Sequence, residues 1–306
     1  MIDRDSVLAA RERLGDRVRR TPVLAANVDG PGGPVPVTFK LEQTQIGGSF
    51  KVRGSLNALL AATDRPDEVV IASGGNAAIG AAHAAGMVGA RCVVVVPVNA
   101  PAAKVALLRE LGAEVIAHGD GYPEAYAHAS DLARERAALQ LHAYDLPDVV
   151  AGAGVIGLEL DGQVPGSDPV LVAVGGGGLV AGIAAALPDR QVIGVEPVGI
   201  PTLHDALQAG EPVDVEIDSI AADALGARRL GDIAFDVARR TGIGSALVSD
   251  DDIVAARRYL WREFRIVVEW AGAAALAAIR SGAYVPDPGQ RPVVVVCGAN
   301  TDPASL

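Results

Sequence analysis

The sequence predicts an α/β protein in which a mostly parallel sheet is covered by helices on both faces. Runs of β-branched residues alternate with segments rich in alanine and leucine along most of the chain, and this alternation is typical of βαβ units. The chain has 306 residues, of which 50% are hydrophobic and few are aromatic. We therefore expect one large or two medium domains with a core of small aliphatic side chains, and ligands at the carboxyl ends of the strands.

The predicted elements follow one another as strand and helix from residue 40 onwards. A strand ends at 40–42, and Ser49 has the position of an N-cap before the helix that carries Asn57. Gly112 is a natural stop for the helix before it, and Ser249, with acidic residues behind it, opens a long helix near the C-terminus. The other strands and helices are expected at 69–71, 76–87, 92–96, 101–111, 113–117, 122–139, 149–160, 170–174, 178–187, 192–195 and 293–296.

Charge and composition narrow the class of protein. The 26 basic and 37 acidic residues give a net charge of −11, which disfavours a nucleic-acid or anionic-membrane partner. The two cysteines, Cys92 and Cys297, lie far apart and indicate neither a disulfide framework nor a CxxC metal site. The N-terminus is charged and helix-periodic without an apolar signal core, so we expect a cytoplasmic location. The uncharged stretch 170–187 contains four consecutive glycines, which favours a buried strand, turn and helix over a membrane span.

Lys51 is the candidate reactive residue. It falls in the first turn of the helix that Ser49 is expected to open, where the positive end of the helix dipole disfavours a second cation. Apolar neighbours would lower the preference of the amine for its charged form further, and a neutral amine is a nucleophile. Most lysines on helices are solvated surface residues, so the position by itself is a weak indication.

A second candidate is the turn that follows strand 69–71. Its glycines, Gly74 and Gly75, free backbone N–H groups to face a cleft, while Ser73 and Asn76 add side-chain hydrogen bonds. This combination would hold a carboxylate. A plain strand-to-helix turn with Asn76 as its N-cap explains the same residues equally well.

The third candidate is the glycine run Gly175–Gly178, followed by Leu179. Several amides and a helix N-terminus would converge there, which favours binding of a phosphate. A dinucleotide site is the rival, because Glu196 follows the next strand 21 positions after Gly175, about where a ribose-binding acid belongs. Val180 stands where the third glycine of GxGxxG would fall, and this weakens the rival. A turn that needs positive φ accounts for only one or two of the glycines.

The last predicted strand leads into Cys297. A cysteine after a buried strand is usually inert packing, although a strand end also permits a weak hydrogen-bonding role. The five histidines show no metal-binding spacing and no serine lies in a GxSxG motif, so neither a zinc site nor a hydrolase triad is indicated.

Together these motifs resemble the fold type II pyridoxal-phosphate enzymes, and among them the serine/threonine dehydratases (ammonia-lyases), with the serine-dehydratase branch the most similar. The motifs occur in the family's order and cover nearly the whole chain. They are Ser49-Phe50-Lys51-Val52-Arg53-Gly54, Ser73-Gly74-Gly75-Asn76, Gly175–Gly178 with Leu179, and Cys297-Gly298-Ala299-Asn300, with the shorter motifs Arg20-Thr21-Pro22, His142-Ala143-Tyr144-Asp145, Gly194-Val195-Glu196-Pro197 and Val268-Glu269 with Ala271-Gly272-Ala273.

The resemblance implies the cofactor, pyridoxal 5′-phosphate, and the roles of single residues. Lys51 would bind the cofactor as an imine and later remove the substrate Cα proton, Phe50 would pack on one face of the ring, and Cys297 would face the pyridine nitrogen. Asn76 would bond the phenolic oxygen. The implied cofactor-binding set is Phe50, Lys51, Asn76, Gly175, Gly176, Gly177, Gly178, Leu179, Ala224 and Cys297, and the implied substrate-binding set is Ser73, Gly74, Gly75 and Asn76.

The implied reaction is the α,β-elimination of water from L-serine or L-threonine, which gives a 2-oxo acid and ammonia. Gly74 takes the place of the serine that related racemases use as a second acid/base, so a racemase would lack that base here. The alternatives are a racemase or a dehydratase for another 3-hydroxy amino acid such as hydroxyaspartate, and, more remotely, a dinucleotide-dependent oxidoreductase.

The resemblance also implies the architecture and the assembly. Two open, mostly parallel sheets wrapped by helices would form a large cofactor-binding domain, residues 1–44 and 148–306, and a small inserted domain, residues 45–147, without a regulatory domain. Family members with a divalent-cation site pair Glu196 with an acidic residue six positions later, where this chain has Thr202. We therefore expect no divalent metal, and potassium as the candidate ion at Glu196. A homodimer that acts on a small amino acid is expected.

Overall fold

Two sheets and twelve helices make up the computed structural model, which describes residues 1–305. The ten strands are β1 Val23–Gly30, β2 Gly33–Leu41, β3 Glu68–Ala72, β4 Arg91–Val96, β5 Glu114–Ala117, β6 Leu139–Leu141, β7 Val170–Ala173, β8 Val192–Pro197, β9 Gly244–Val248 and β10 Val293–Val296. The larger sheet has the order β1-β2-β10-β7-β8-β9 and the smaller sheet the order β5-β4-β3-β6. All neighbouring strands are parallel except β1 and β2, which form an antiparallel hairpin.

The helices connect the strands and cover both sheets. Their bounds are α1 Arg4–Leu14, α2 Lys51–Ala61, α3 Asn76–Val88, α4 Ala102–Glu110, α5 Tyr122–Glu135, α6 Pro147–Gln163, α7 Gly178–Ala186, α8 Thr202–Ala209, α9 Ala222–Leu225, α10 Asp232–Thr241, α11 Asp250–Phe264 and α12 Trp270–Ser281. The predicted α/β class is confirmed, and most predicted elements end within a few residues of the observed ones. No helix among residues 1–305 has the length and apolar character needed to cross a bilayer.

Local signals explain several element ends. Ser249 opens α11 with a capping box, in which its hydroxyl accepts from the N–H of Asp252 and the Asp252 carboxylate accepts from the N–H of Ser249. Gly112 follows α4 with φ of +83°, a conformation that favours glycine. Both features were expected from the sequence.

Two local predictions and one alternative interpretation were wrong. Ser49 does not cap α2, because it is extended, with φ of −158°, and pairs instead with Gly298. The helix α3 begins at Asn76, as expected, and its N-cap is Gly75, so the alternative of Asn76 as the N-cap is wrong. The helix expected at 122–139 ends at Glu135, and the residues behind it form β6, because β3 offers a free edge on which they pair in parallel.

The core is aliphatic, as the composition predicted. β10 consists of four buried valines, and α12 is buried along most of its length through alanines that let it pack closely on the larger sheet. All four strands of the smaller sheet lie between residues 68 and 141, and those of the larger sheet lie outside this range. Each sheet is therefore built from its own part of the chain.

A cluster of buried charges lies behind the start of α2. Arg53 is completely buried and donates to both Glu42 and Glu159, while Lys40 donates to Glu159 at 2.5 Å. The cluster joins the end of β2, the helix α2 and the helix α6, and Thr21 contributes a hydroxyl that Glu42 accepts. Because Lys51 lies two residues before Arg53, these ion pairs position the beginning of its helix.

Candidate active site

Both sheets open at the carboxyl ends of their strands onto one cavity of about 530 Å³. Its walls come from the turns after β3 and β7, the start of α2, the helix α9 and the end of β10. Every residue predicted to bind cofactor or substrate lines this cavity, whereas Glu196 does not. The lining residues from that set are Phe50, Lys51, Ser73, Gly74, Gly75, Asn76, Gly175, Gly176, Gly177, Gly178, Leu179, Ala224 and Cys297.

A short backbone pairing connects the start of α2 to the end of β10. The N–H of Phe50 donates to the carbonyl of Cys297 at 3.2 Å, and the N–H of Ala299 donates to the carbonyl of Gly48 at 2.9 Å. Gly48 has φ of +71°, and a Cβ atom there would stand 2.6 Å from Asn300, so only glycine fits. This pairing brings Lys51 and Cys297 into the same cavity although 246 positions separate them (297 − 51).

Lys51 combines the position and the environment of a reactive amine. It is the first residue of α2, and its Nζ donates to the carbonyl oxygen of Ala143 at 2.7 Å and lies 5.0 Å from the centroid of the Phe50 ring. Burial lowers the pKa of Lys51 to about 8, although Cys297 and Glu269 act in the opposite direction. About a tenth of the amine is therefore neutral, and hence nucleophilic, at pH 7.

The turn between β3 and α3 presents unpaired N–H groups to the cavity. Within residues 1–305, no acceptor binds the N–H groups of Gly74, Asn76 and Ala77, while the N–H of Gly75 donates to the hydroxyl of Ser73 at 3.2 Å. These donors stand at the N-terminus of α3, which adds the positive end of a helix dipole. The turn can bind a carboxylate.

Close packing requires the four glycines of the run after β7. A Cβ atom at Gly175 would stand 2.9 Å from Leu225, one at Gly176 would stand 2.3 Å from the ring of Tyr144, and Gly177 has φ of +88°. A Cβ atom at Gly178 would lie 2.5 Å from the Tyr144 carbonyl. Close neighbours, rather than positive φ alone, therefore account for the four glycines.

The same loop leaves its amides free. Among the described residues, no acceptor binds the N–H groups of Gly175, Gly176 and Gly177, and α7 begins at Gly178 with the N–H groups of its first turn facing the cavity. Several amides at a helix N-terminus form an anion site that needs no cation. The loop thus fits a phosphate group.

The side chain of Asn76 is held on two sides. Its Nδ2 donates to Glu269 Oε1 at 2.6 Å, and its Oδ1 accepts from Asn300 Nδ2 at 2.6 Å. Spacing along the chain indicates no such role for Glu269 or Asn300, because neither residue neighbours Asn76 in sequence. The sequence did contain one indication of a role for Glu269, because this acid stands between the apolar residues Val268 and Trp270 at the start of an alanine-rich helix.

The thiol of Cys297 stays protonated. Burial, together with the nearby carboxyl of Glu269, raises the pKa of Cys297 well above its usual range. A neutral thiol is a weak hydrogen-bonding group. It can face a ring nitrogen but cannot act as a counter-ion for a protonated one.

Glu196 lies outside the cavity and has protein partners. Its carboxylate accepts hydrogen bonds from the Thr202 hydroxyl at 2.9 Å and from the N–H groups of Leu203 at 2.7 Å and His204 at 2.9 Å. Burial nevertheless raises the pKa of Glu196 to about 7. The carboxylate caps α8 and is not available to the ribose of a dinucleotide. Within residues 1–305, no group of three or more His, Cys, Asp or Glu side chains is arranged to hold a metal ion.

The cavity can hold a cofactor that carries both a carbonyl group and a phosphate, because an amine binds the first and free amides bind the second. This arrangement defines a class of enzymes that depend on an aldehyde cofactor. Residues 14–298 match the model of the family described as pyridoxal-phosphate dependent enzyme, and the chain belongs to this family.

Curated relatives and solved structures agree with the family. The chain is 38% identical over 302 residues to the L-threonine ammonia-lyase of Geobacter sulfurreducens, covering 96% of this chain and 74% of the relative. It is 36% identical to the phenylserine dehydratase of Ralstonia pickettii, covering 99% and 95%. Among solved structures, maize serine racemase has a TM-score of 0.91 at 30% identity, covering 99% and 95%, and the serine racemase of Dictyostelium discoideum has a TM-score of 0.89 at 28% identity, covering 98% and 99%.

Proposed function

We propose that this protein is a pyridoxal-phosphate-dependent lyase that removes water from L-serine or L-threonine and releases a 2-oxo acid and ammonia. The observation that carries the proposal is the amine of Lys51, with its lowered pKa, in one cavity with two separate sets of free amides. Relatives named threonine ammonia-lyase or threonine dehydratase support it at 33–38% identity.

Each group of the cavity has one task in this reaction. The amides of Gly175–Gly178 and Leu179 would hold the phosphate of the cofactor, and those of the turn at Gly74 would hold the substrate carboxylate. When bound, pyridoxal phosphate supplies an electron sink for the negative charge that develops at the substrate Cα. Lys51 Nζ accepts the Cα proton as general base. Cys297, which keeps its own proton, leaves the ring nitrogen neutral.

A racemase is the second candidate, because maize serine racemase and a pyridoxal 5′-phosphate-dependent aspartate racemase are among the similar structures. Racemisation needs an acid on the cofactor face opposite the lysine. At the position where the resemblance places that acid, this chain has Gly74, which carries no proton donor. Elimination is therefore favoured over racemisation.

The first experiment compares the wild-type protein with Lys51→Ala. Wild-type protein incubated with pyridoxal phosphate should show a visible absorption band and should release 2-oxo acid from L-serine or L-threonine. Lys51→Ala should lose both, because the amine that binds the cofactor is gone. Lys104→Ala is the matched control, since Lys104 lines the same cavity at its mouth but is paired with Asp223, and this variant should keep the visible band.

The second experiment separates the candidate reactions. A panel of 3-hydroxy amino acids that includes serine, threonine, phenylserine and hydroxyaspartate is assayed for 2-oxo acid and, by chiral chromatography, for the opposite enantiomer. Enantiomer without 2-oxo acid would contradict the lyase, and a Lys51→Ala protein that kept its band and turnover would contradict the site.

We further propose, from the resemblance, the finer properties of the protein. These are a cytoplasmic homodimer, a large domain of residues 1–44 and 148–306 with an inserted domain of residues 45–147, and potassium binding near Glu196. The separate sheets support the domain bounds. The buried carboxylate of Glu196, which accepts hydrogen bonds from α8, supports the potassium site. Light scattering tests the dimer, and turnover in potassium against tetramethylammonium chloride tests the ion.

A further inference from the structure

A chain of hydrogen bonds fixes the orientation of the Asn76 amide. The carbonyl of Gly47 can only accept, so the group that Asn300 turns towards it at 2.8 Å is its NH₂. The same NH₂ donates to Asn76 at 2.6 Å, and Asn76 must therefore present its oxygen to Asn300. As a result the NH₂ of Asn76 faces Glu269 Oε1 at 2.6 Å. A backbone carbonyl thus decides which way Asn76 points and makes Glu269 the acceptor.

Glu269 has a confined environment. The residue is 7% exposed, and its Oε1 packs so closely on Gly298 that a Cβ atom there would stand 2.2 Å away, so any larger residue at position 298 would displace the carboxyl. Among residues 1–305, Asn76 is the only hydrogen-bond donor to this carboxyl. Burial raises the pKa of Glu269 to about 7, which means that much of it is ionised at neutral pH.

The titratable groups that act on Glu269 come from four elements. Lys51 at the start of α2 and Cys297 behind β10 lie with it in the cavity, and Asp223 of α9 and Lys104 of α4 form an ion pair at the mouth. Cys297 stays neutral, and the charges of the ion pair oppose each other. Glu269 is therefore the carboxylate inside the cavity whose charge acts on the Lys51 amine.

We propose that Glu269 is a positioning residue with two separable effects: it holds the Asn76 amide towards the cofactor site, and its negative charge favours the protonated form of the Lys51 amine, with which it shares the cavity. The proposal rests on the proposed function, because it takes Lys51 as the residue that binds the cofactor. Glutamine can still accept the hydrogen bond from Asn76 but carries no charge. Alanine removes both the acceptor and the charge.

The two effects predict different outcomes. A negative charge near Lys51 favours its protonated form, so Glu269→Gln should lower the pKa of Lys51 below its value of about 8. A fall of about one unit would raise the neutral fraction at pH 7 about fivefold. The visible band should therefore form about fivefold faster at pH 7, and the midpoint of its pH dependence should move down by about one unit. Cofactor affinity should stay within about threefold of the wild type, because the hydrogen bond remains.

Glu269→Ala should show the same shift of the midpoint together with weaker binding. The loss of a hydrogen bond to a charged group corresponds to about tenfold in the dissociation constant for pyridoxal phosphate. Stopped-flow absorbance gives the rate against pH, and equilibrium dialysis gives the affinity. Neither measurement depends on turnover.

Asp223→Asn is the matched control, because it removes a carboxylate at the cavity mouth that is 60% exposed and does not contact Asn76. Water and salt screen this charge, so the midpoint should stay within about 0.3 units of the wild type. The proposal is overturned if Glu269→Gln has the wild-type midpoint, or if Glu269→Ala binds pyridoxal phosphate with wild-type affinity.

Circular dichroism shows which variants fold. If Glu269→Gln does not fold, Glu269→Asp replaces it, because aspartate keeps the charge and withdraws the carboxylate by one methylene. Glu269→Asp should keep the wild-type midpoint and bind the cofactor more weakly. A shifted midpoint with wild-type affinity overturns the proposal. A wild-type protein without a visible band refutes the proposed function instead. If the wild-type protein binds the cofactor and the Glu269 variants have the same midpoint and affinity, only the role of Glu269 is refuted.

Discussion

Arg53→Met is expected to lower the free energy of unfolding by about 3–5 kcal/mol, the usual cost of leaving a buried charge without its partner. The guanidinium of Arg53 donates to Glu42 twice at 2.8 Å and to Glu159 at 2.7 and 3.1 Å. Glu159 would keep Lys40 at 2.5 Å. Among residues 1–305, Glu42 would keep only the hydroxyl of Thr21 as a side-chain donor, so one buried carboxylate is left without an ion-pair partner.

Thermal unfolding followed by circular dichroism, at one scan rate, measures the effect. A loss of about 3–5 kcal/mol corresponds to a decrease in Tm of about 5–8 °C for a chain of 306 residues. Arg134→Met is the matched control, because Arg134 pairs with Asp131 on the surface, where both side chains are more than half exposed. It should change stability by less than about 1 kcal/mol. If Arg53→Met costs no more than the control, the buried cluster does not stabilise the fold.

Three further predictions concern the cavity. Gly74→Ser should fit, because the atom nearest to a Cβ at this position is in Val96, at 3.8 Å. Chiral chromatography should then detect D-serine formed from L-serine. If no D-serine forms, Gly74 is not what prevents racemisation. Gly176→Ala should weaken cofactor binding, measured by dialysis, by at least about tenfold, because its Cβ would stand 2.3 Å from the Tyr144 ring. The double variant Gly176→Ala, Tyr144→Ala should regain part of the affinity. A double variant that regains none would contradict the steric argument. The rate at which the visible band forms should rise with pH through about 8 and then level off. Only the neutral form of Lys51 attacks the cofactor, and the pKa of Lys51 is about 8. A rate that does not change with pH would contradict this prediction.

Much of the fold could be predicted because its signals are local. The alternation of β-branched and alanine-rich segments located β3, β4, β7 and β10 within a few residues. The strand-end position of the unusual residues then predicted that they meet, because parallel strands end at one edge of a sheet. Weak segments such as β6 could not be predicted, since their conformation depends on the strand with which they pair.

The sequence by itself determined the α/β class, the helix cap at Ser249, and the segments that contribute residues to the cavity, because these follow from patterns within a few positions. Tertiary structure decided what each residue contacts. Asn76 meets Glu269 across 193 positions, Arg53 meets Glu159 across 106, and the glycine run is required by the neighbours Tyr144 and Leu225. Such contacts depend on how the two sheets and their helices pack, and no spacing along the chain encodes them directly.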